Sequence, residues 1–338
     1  MENSRRILLS LLAALALSGC ETLAYYAQAI NGQLSLMARA RPVESLLQDP
    51  GTPQALRARL ELARAIRDYA VRELKLPDNA SYRSYAELDR RYAVWNVVAA
   101  PEFSLEPLQS CFPVAGCVSY RGFFSQAGAE RHAAELRARR LDVYLYGVPA
   151  YSTLGRFDDP LLSTFIRSAD ADLARLIFHE LAHQVAYVKD DSTFNESFAV
   201  VVEREGLRRW LAASVRGAQL QEFLAAEDGN RKFIAAMDQA RARLKLLYRQ
   251  RIAPEALRER KRAEYAALKK TLEGSPRFRD AEPNNALLAS YATYTELATE
   301  FEALLKENNG NLEAFYAQVR RYAASAPSNR GPLSAPSR

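Results

Sequence analysis

The chain has 338 residues, with 46 Lys and Arg against 40 Asp and Glu, a formal charge of +6. A hydrophobic share of 49% excludes an intrinsically disordered chain and suits one large domain or two modest ones. A basic excess leaves nucleic acid formally open, yet no basic-aromatic binding motif is present, and attraction to anionic lipid or cell-wall surfaces accounts for the charge.

In chain order, Arg5 and Arg6 form a positive n-region, and Ile7 to Leu17 is an apolar run too short to span a membrane as a mature helix. Leu17-Ser18-Gly19-Cys20 resembles a bacterial lipobox, in which the chain is cut before the cysteine and the thiol is lipidated. Residues 1–19 are then a signal peptide outside the fold. The mature body is expected on the periplasmic face of a bacterial envelope, tethered by lipid on Cys20, at the outer rather than the inner membrane. No later apolar run approaches the roughly 18 residues of a span. Two of the three cysteines remain, Cys111 and Cys117. In an oxidising compartment they are a candidate disulfide, the alternative being two free thiols.

Tyr25, Tyr26, Ile30, Leu34 and Met37 stand at near-helical spacing, and Arg41-Pro42 ends that helix. Thr52 is expected to cap the next helix, with Pro53 in its first turn and Leu60, Ala63, Ile66, Ala70 and Leu74 as its buried stripe, running to about Leu76. Tyr92 to Ala100 is a β-branched and aromatic run, hence a strand. A second strand is expected over 117–123, a helix from Ser125 to Arg140, and a third strand over 142–147. This region, about residues 92–148, is the only one expected to supply a sheet. The loop 151–160 follows.

From about residue 163 onward the pattern is almost wholly helical. A long charged pair is expected over 213–250 and 254–273, broken at Ile252-Ala253-Pro254, followed by helices over 284–307 and 311–324. Residues 326–338, rich in Pro, Ser, Gly and Asn, are expected to be disordered. His132 sits amid charged residues and is expected to be solvated.

The chain has three histidines, and two of them belong to His179-Glu180-Leu181-Ala182-His183. On a helix, positions i and i+4 share a face, so the two imidazoles can bind one tetrahedral Zn²⁺ while Glu180 stands beside them as a base for water. Asp170 or Ser168 can cap this helix, which is expected to run to about Val188. After a turn at 189–192, a second helix begins at Ser192 and runs antiparallel. At 1.5 Å rise per residue, Glu196 then lies at the height of His183 and can reach the same metal. Two His and one Glu with an open fourth position is a catalytic rather than a structural zinc set.

Asn195-Glu196-Ser197-Phe198-Ala199, with Glu203 seven residues past Glu196, resembles the N-E-G-F-A…E stretch of aminopeptidase N-like gluzincins. That resemblance implies Glu196 as third ligand, with Glu203 and Asn195 supporting the ligands from behind; Glu203 as the ligand itself is the alternative. Nearly the whole mature chain is similar to the bacterial predicted aminopeptidase family of HExxH lipoproteins, through Cys111 to Cys117, Ala150 to Pro160 and both metal segments. The resemblance implies an α+β, mostly α fold with a zincin-like core, in which a small sheet precedes the active-site helix. The domain would cover residues 20–325 with a helical insertion at about 213–275. It further implies a zinc metallopeptidase acting on peptides, with Glu180 catalytic. In gluzincins a late tyrosine stabilises the oxyanion; Tyr294 ranks ahead of Tyr151 and Tyr291. The sequence departs from aminopeptidase N-like enzymes in lacking a G-x-M-E-N segment and in its shorter spacing from His183 to Glu196. An endopeptidase is therefore one alternative. A lipoprotein scaffold with a structural or vestigial metal is another.

Overall fold

The computed structural model describes residues 25–112, 116–150, 153–213, 217–275, 278, 282–325 and 333. Cys20 and the signal segment lie outside them, as does Tyr151. Of the tail 326–338 only Leu333 is described, and it packs into the main core.

The fold is α+β and mostly helical. Residues 25–38 form helix α1. There follow β1 (Arg41–Pro42), α2 (Val43–Gln48), α3 (Gln54–Arg72), β2 (Ser84–Ala86), β3 (Val94–Ala100), β4 (Ser110–Phe112), β5 (Gly116–Val118) and β6 (Arg121–Phe123). Next come α4 (Gln126–Ala138), β7 (Asp142–Val148), β8 (Leu161–Leu162), α5 (Asp170–Ala182) and α6 (Ser192–Ala213). The chain closes with α7 (Gly217–Tyr248), α8 (Pro254–Thr271), α9 (Asn285–Thr295), α10 (Ala298–Glu307) and α11 (Leu312–Ala324).

The central sheet has the order β6-β3-β7 and is antiparallel throughout, with Trp95 opposite Phe123 and Val97 opposite Leu145. Successive side chains of β3 point to opposite faces, and both faces are covered. Val97 and Ala99 meet Ala129, Ala133 and Leu136 of α4, while Val98 and Ala100 meet Ala286 of α9. This explains why Val94 to Ala100 reads as a continuous apolar run rather than as an alternating one.

Several boundaries differ from expectation, each for a local reason. The expected strand 117–123 is two strands in two sheets, with β5 pairing with β4 and β6 with β3. A second three-stranded sheet, β1-β2-β8, joins short segments from three loops; the sequence pattern had assigned all strands to one region. Strands of two or three residues are too short for a periodicity to register. Helix α3 starts at Gln54 with Pro53 as its N-cap, and Thr52 makes no capping bond. The helix expected over 284–307 is two, α9 and α10. The Ser197 hydroxyl donates to Thr293 O (3.4 Å) and accepts from Leu297 N (3.3 Å), satisfying the backbone at the break. His132 is not solvated; its side chain is 16% exposed and its ring centroid lies 5.3 Å from that of Phe123.

The core around the HExxH segment is built on α5 and α6. Leu173, Ala174, Ile177, Phe178 and Leu181 of α5 are fully buried, as are Phe194, Phe198 and Ala199 of α6. At Gly206 a Cβ would stand 2.7 Å from Leu74 Cδ1 and 3.0 Å from Phe178 Cδ2, so glycine lets the helices close. Phe198 packs in turn on Phe301 (5.6 Å) and Phe315 (5.8 Å) from α10 and α11. The charged pair α7 and α8 has a core of its own, in which Phe233, Met237, Leu244 and Leu268 are buried together.

Candidate metal centre

Helix α5 carries His179 and Glu180 in its last turn and has His183 as its C-cap. It ends six residues short of the expected Val188. The reason lies on α6: Asn195 Oδ1 accepts from Val188 N (2.7 Å), and Asn195 Nδ2 donates to Val188 O (2.8 Å). Both bonds are buried and hold residue 188 outside the helix. Asn195 thus uses both of its side-chain groups on the turn that joins the two helices. The expected cap residues are also placed differently. Ala169 is the N-cap, and Asp170 instead takes the Arg59 guanidinium (2.6 Å).

One helical turn separates the two rings, and their Nε2 atoms come within 3.2 Å with the ring planes at 86°. From α6, Glu196 Oε2 lies 3.3 Å from His179 Nε2 and 3.7 Å from His183 Nε2. These three residues each offer one ligand atom, all within 4.8 Å of one another. Glu203 stands behind: its Oε2 lies 2.7 Å from His179 Nδ1. Nδ1 donates to this carboxylate, which turns Nε2 toward the centre. Glu203 thus meets the far nitrogen of His179 and is not one of the three converging residues.

Electrostatics sharpen the same point. Burial pushes the Glu180 carboxyl up to about 8, aided by Glu196 and opposed by His179. Burial also depresses His183 to about 4. For His179, burial works against the charged form, but the bonds from Glu196 and Glu203 outweigh it and its pKa rises well above the ordinary histidine value. Glu196 is held below the usual carboxylate range; burial opposes this, and His183 and His179 overcome it. Two carboxylates and two imidazoles thus share a dry site. Among the described residues lining it there is no Lys or Arg to balance them. Two imidazole nitrogens and a carboxylate oxygen, converging without a Lys or Arg partner, form a group that could hold a metal ion.

The site opens on a cavity of about 270 Å³. A larger cavity of about 620 Å³ around Arg41, Thr52 and Arg167 shares no residue with it. Arg41, Arg59 and Arg167 there are paired with Asp49, Asp170 and Glu87. Tyr294 lines the metal cavity, its ring centroid 6.4 Å from that of His179. Tyr291 points elsewhere, against Phe233 (5.2 Å) in the core of the charged pair. Asp159 is buried, accepts from Thr153 N and Oγ1 (both 2.8 Å), and is pushed by burial to about 6. Those bonds cap the turn that precedes Pro160.

Sequence reasoning missed Tyr120 and Tyr187, which also line the cavity, and the aromatic wall of Tyr25, Phe112 and Phe124. With 17 tyrosines in the chain, no spacing singled these out. The one available signal was the cysteine pair framing Phe112, and the structure holds that pair as a disulfide.

The fold and site define a mostly helical α+β protein with a buried two-histidine, one-glutamate group able to hold a metal ion. The chain belongs to the family described as "Putative aminopeptidase", whose model matches residues 24–332. Peptide hydrolysis is the activity that family name suggests. Comparison with curated proteins returned no match, and comparison with solved structures returned none either.

Replacing Glu203 by Gln should lower Zn²⁺ affinity by about 10- to 100-fold, because His179 loses the charged acceptor that fixes its tautomer. Competition with a chromogenic chelator measures this, and an unchanged affinity would show that Glu203 has no such role.

Proposed function

We propose that this protein is a zinc-dependent peptidase of the HExxH gluzincin type, probed best as an aminopeptidase and working from a lipid anchor in the bacterial envelope. The observation that carries the reading is the convergence of His179 Nε2, His183 Nε2 and Glu196 Oε2 beside Glu180 in one cavity. A purely structural metal would need no buried acid next to its ligands and would favour four closed ones.

His179, His183 and Glu196 are the residues that would hold zinc, with Glu203 keeping the His179 lone pair aimed inward. Bound zinc supplies Lewis acidity toward a scissile carbonyl and toward water. Glu180 takes the proton from the attacking water and passes it to the leaving amine. Its place suits that duty, since Glu180 lines the same cavity as the three ligands. Tyr294, which lines the cavity beside His179, is the donor for the developing oxyanion. The apolar lining excludes bulk water and strengthens each of these interactions.

Glu180→Gln should keep zinc at the wild-type content and lose peptide cleavage by at least about 10²-fold. Mass-spectrometric analysis of a peptide library, with metal content measured on the same samples, tests this. Zinc-loaded wild type that cleaves no more than the variant would remove the enzyme reading and favour a scaffold. The anchor is supported by Leu17-Ser18-Gly19-Cys20. Labelled palmitate should enter the wild-type protein in cells and not Cys20→Ser, and equal labelling of the two would refute lipidation at that residue.

A further inference from the structure

The cavity beside the metal residues has one chemically distinct side, and it is made by parts of the chain that are distant in sequence. Strands β4 and β5 form a two-stranded hairpin in which Cys111 stands directly opposite Cys117 and Ser110 opposite Val118. Directly opposed residues share a face, so Phe112 and Val118 lie on one face of the hairpin and the disulfide on the other. Phe112 and Val118 line the cavity.

Three contacts hold this hairpin in place. The disulfide joins its strands. At one end, Cys117 N donates to Asp190 Oδ1 (2.5 Å), in the turn between the helix carrying His183 and the helix carrying Glu196. Gly116 has φ +78°, and a Cβ there would sit 2.4 Å from the same Asp190 oxygen, so the approach requires glycine. At the same end, directly opposite Gly116, the Phe112 ring stacks on Tyr25 of α1 (5.6 Å, 27°) and meets Tyr26 edge-on (6.3 Å). Tyr25 in turn lies edge-on to Phe123 (5.6 Å) and under the Arg121 guanidinium (4.1 Å). The wall is thus tied both to the metal helices and to α1.

Its chemistry is one-sided. Tyr25, Phe112, Val118 and Phe124 face the cavity, with Val148 and Leu154 near them, whereas the charged side chains lining it, among the described residues, are only those of the metal centre. A volume of about 270 Å³ corresponds to about nine water molecules at roughly 30 Å³ each, room for one or two residues of an extended chain. A charged side chain placed there would be desolvated without a partner, whereas a large apolar one would replace poorly bonded water.

We propose that this stapled aromatic wall is the specificity surface of the site, and that it selects peptides with a large apolar residue beside the scissile bond. The proposal rests on the peptidase reading. Phe112 is the determining side chain, and the Cys111–Cys117 bond is what positions it.

Hydroxamates bind zinc without being cleaved, so the test needs no turnover. Zinc-loaded protein is titrated calorimetrically with acetohydroxamate, 3-phenylpropionohydroxamate and the monohydroxamate of succinate. The phenyl compound should bind at least about tenfold tighter than acetohydroxamate, and the succinate compound no tighter than it. Phe112→Ala should abolish most of the phenyl preference while leaving acetohydroxamate binding unchanged. Phe112→Leu should retain most of it, and the double variant Cys111→Ser, Cys117→Ser should shift it in the same direction as Phe112→Ala. Equal binding of the phenyl and succinate compounds, or a phenyl preference untouched by Phe112→Ala, overturns the proposal and leaves the peptidase reading standing. If acetohydroxamate itself fails to bind protein that holds one zinc, the metal has no open position, and the peptidase reading falls together with the proposal.

Discussion

Two buried hydrogen bonds between Asn195 and the backbone of Val188 set the register of α5 against α6. The rest of the centre depends on that register. It ends α5 at Ala182, one residue before His183, and starts the return helix so that Glu196 comes up beside both Nε2 atoms. Seven residues further along the same helix, two turns on, Glu203 then falls behind His179. A slip of one residue along α6 would rotate both carboxylates by about 100° and leave the histidines without either. The fully buried aliphatic and aromatic residues of the two helices enforce this register over their whole length.

Much of the centre was legible in the sequence because helices turn spacing into geometry. His179 and His183 needed only the helical period, and Glu196 needed only the rise per residue and a turn of the right length. The turn itself was misjudged. The helical pattern runs on to Val188 because nothing local marks the end of α5; the signal is Asn195, seven residues away and on another element. The break between α9 and α10 has the same origin, a Ser197 hydroxyl nearly 100 residues away in sequence. Local pattern cannot report a backbone group satisfied from afar. The small sheet of β1, β2 and β8 escaped for a related reason, since segments of two or three residues owe their pairing to tertiary contacts alone.

The cavity shows the limit more plainly. Tyr25 comes from α1 and Phe112, Tyr120 and Phe124 from the β4 to β6 region, and each reads in sequence as an ordinary packing residue. The fold brings them together through the sheet and through the hairpin clamped to Asp190. Chemistry that depends on residue type at fixed spacing can be read from a chain, whereas the shape of the space beside it cannot. A short HExxH helix with a glutamate on its return helix is therefore the readable half of this site, and its aromatic wall is the half that required the structure.

The central claim is that His179, His183 and Glu196 together bind one metal ion and leave it open to substrate. X-ray absorption at the zinc edge, on wild type and on Glu196→Ala loaded with one equivalent of zinc, tests this most directly. The account predicts a shell of nitrogen and oxygen atoms at about 2.0–2.2 Å containing two imidazoles and no sulfur. It also predicts that Glu196→Ala binds zinc more weakly and loses a carboxylate oxygen from that shell. A sulfur shell, a single imidazole, or a spectrum unchanged in Glu196→Ala would contradict it.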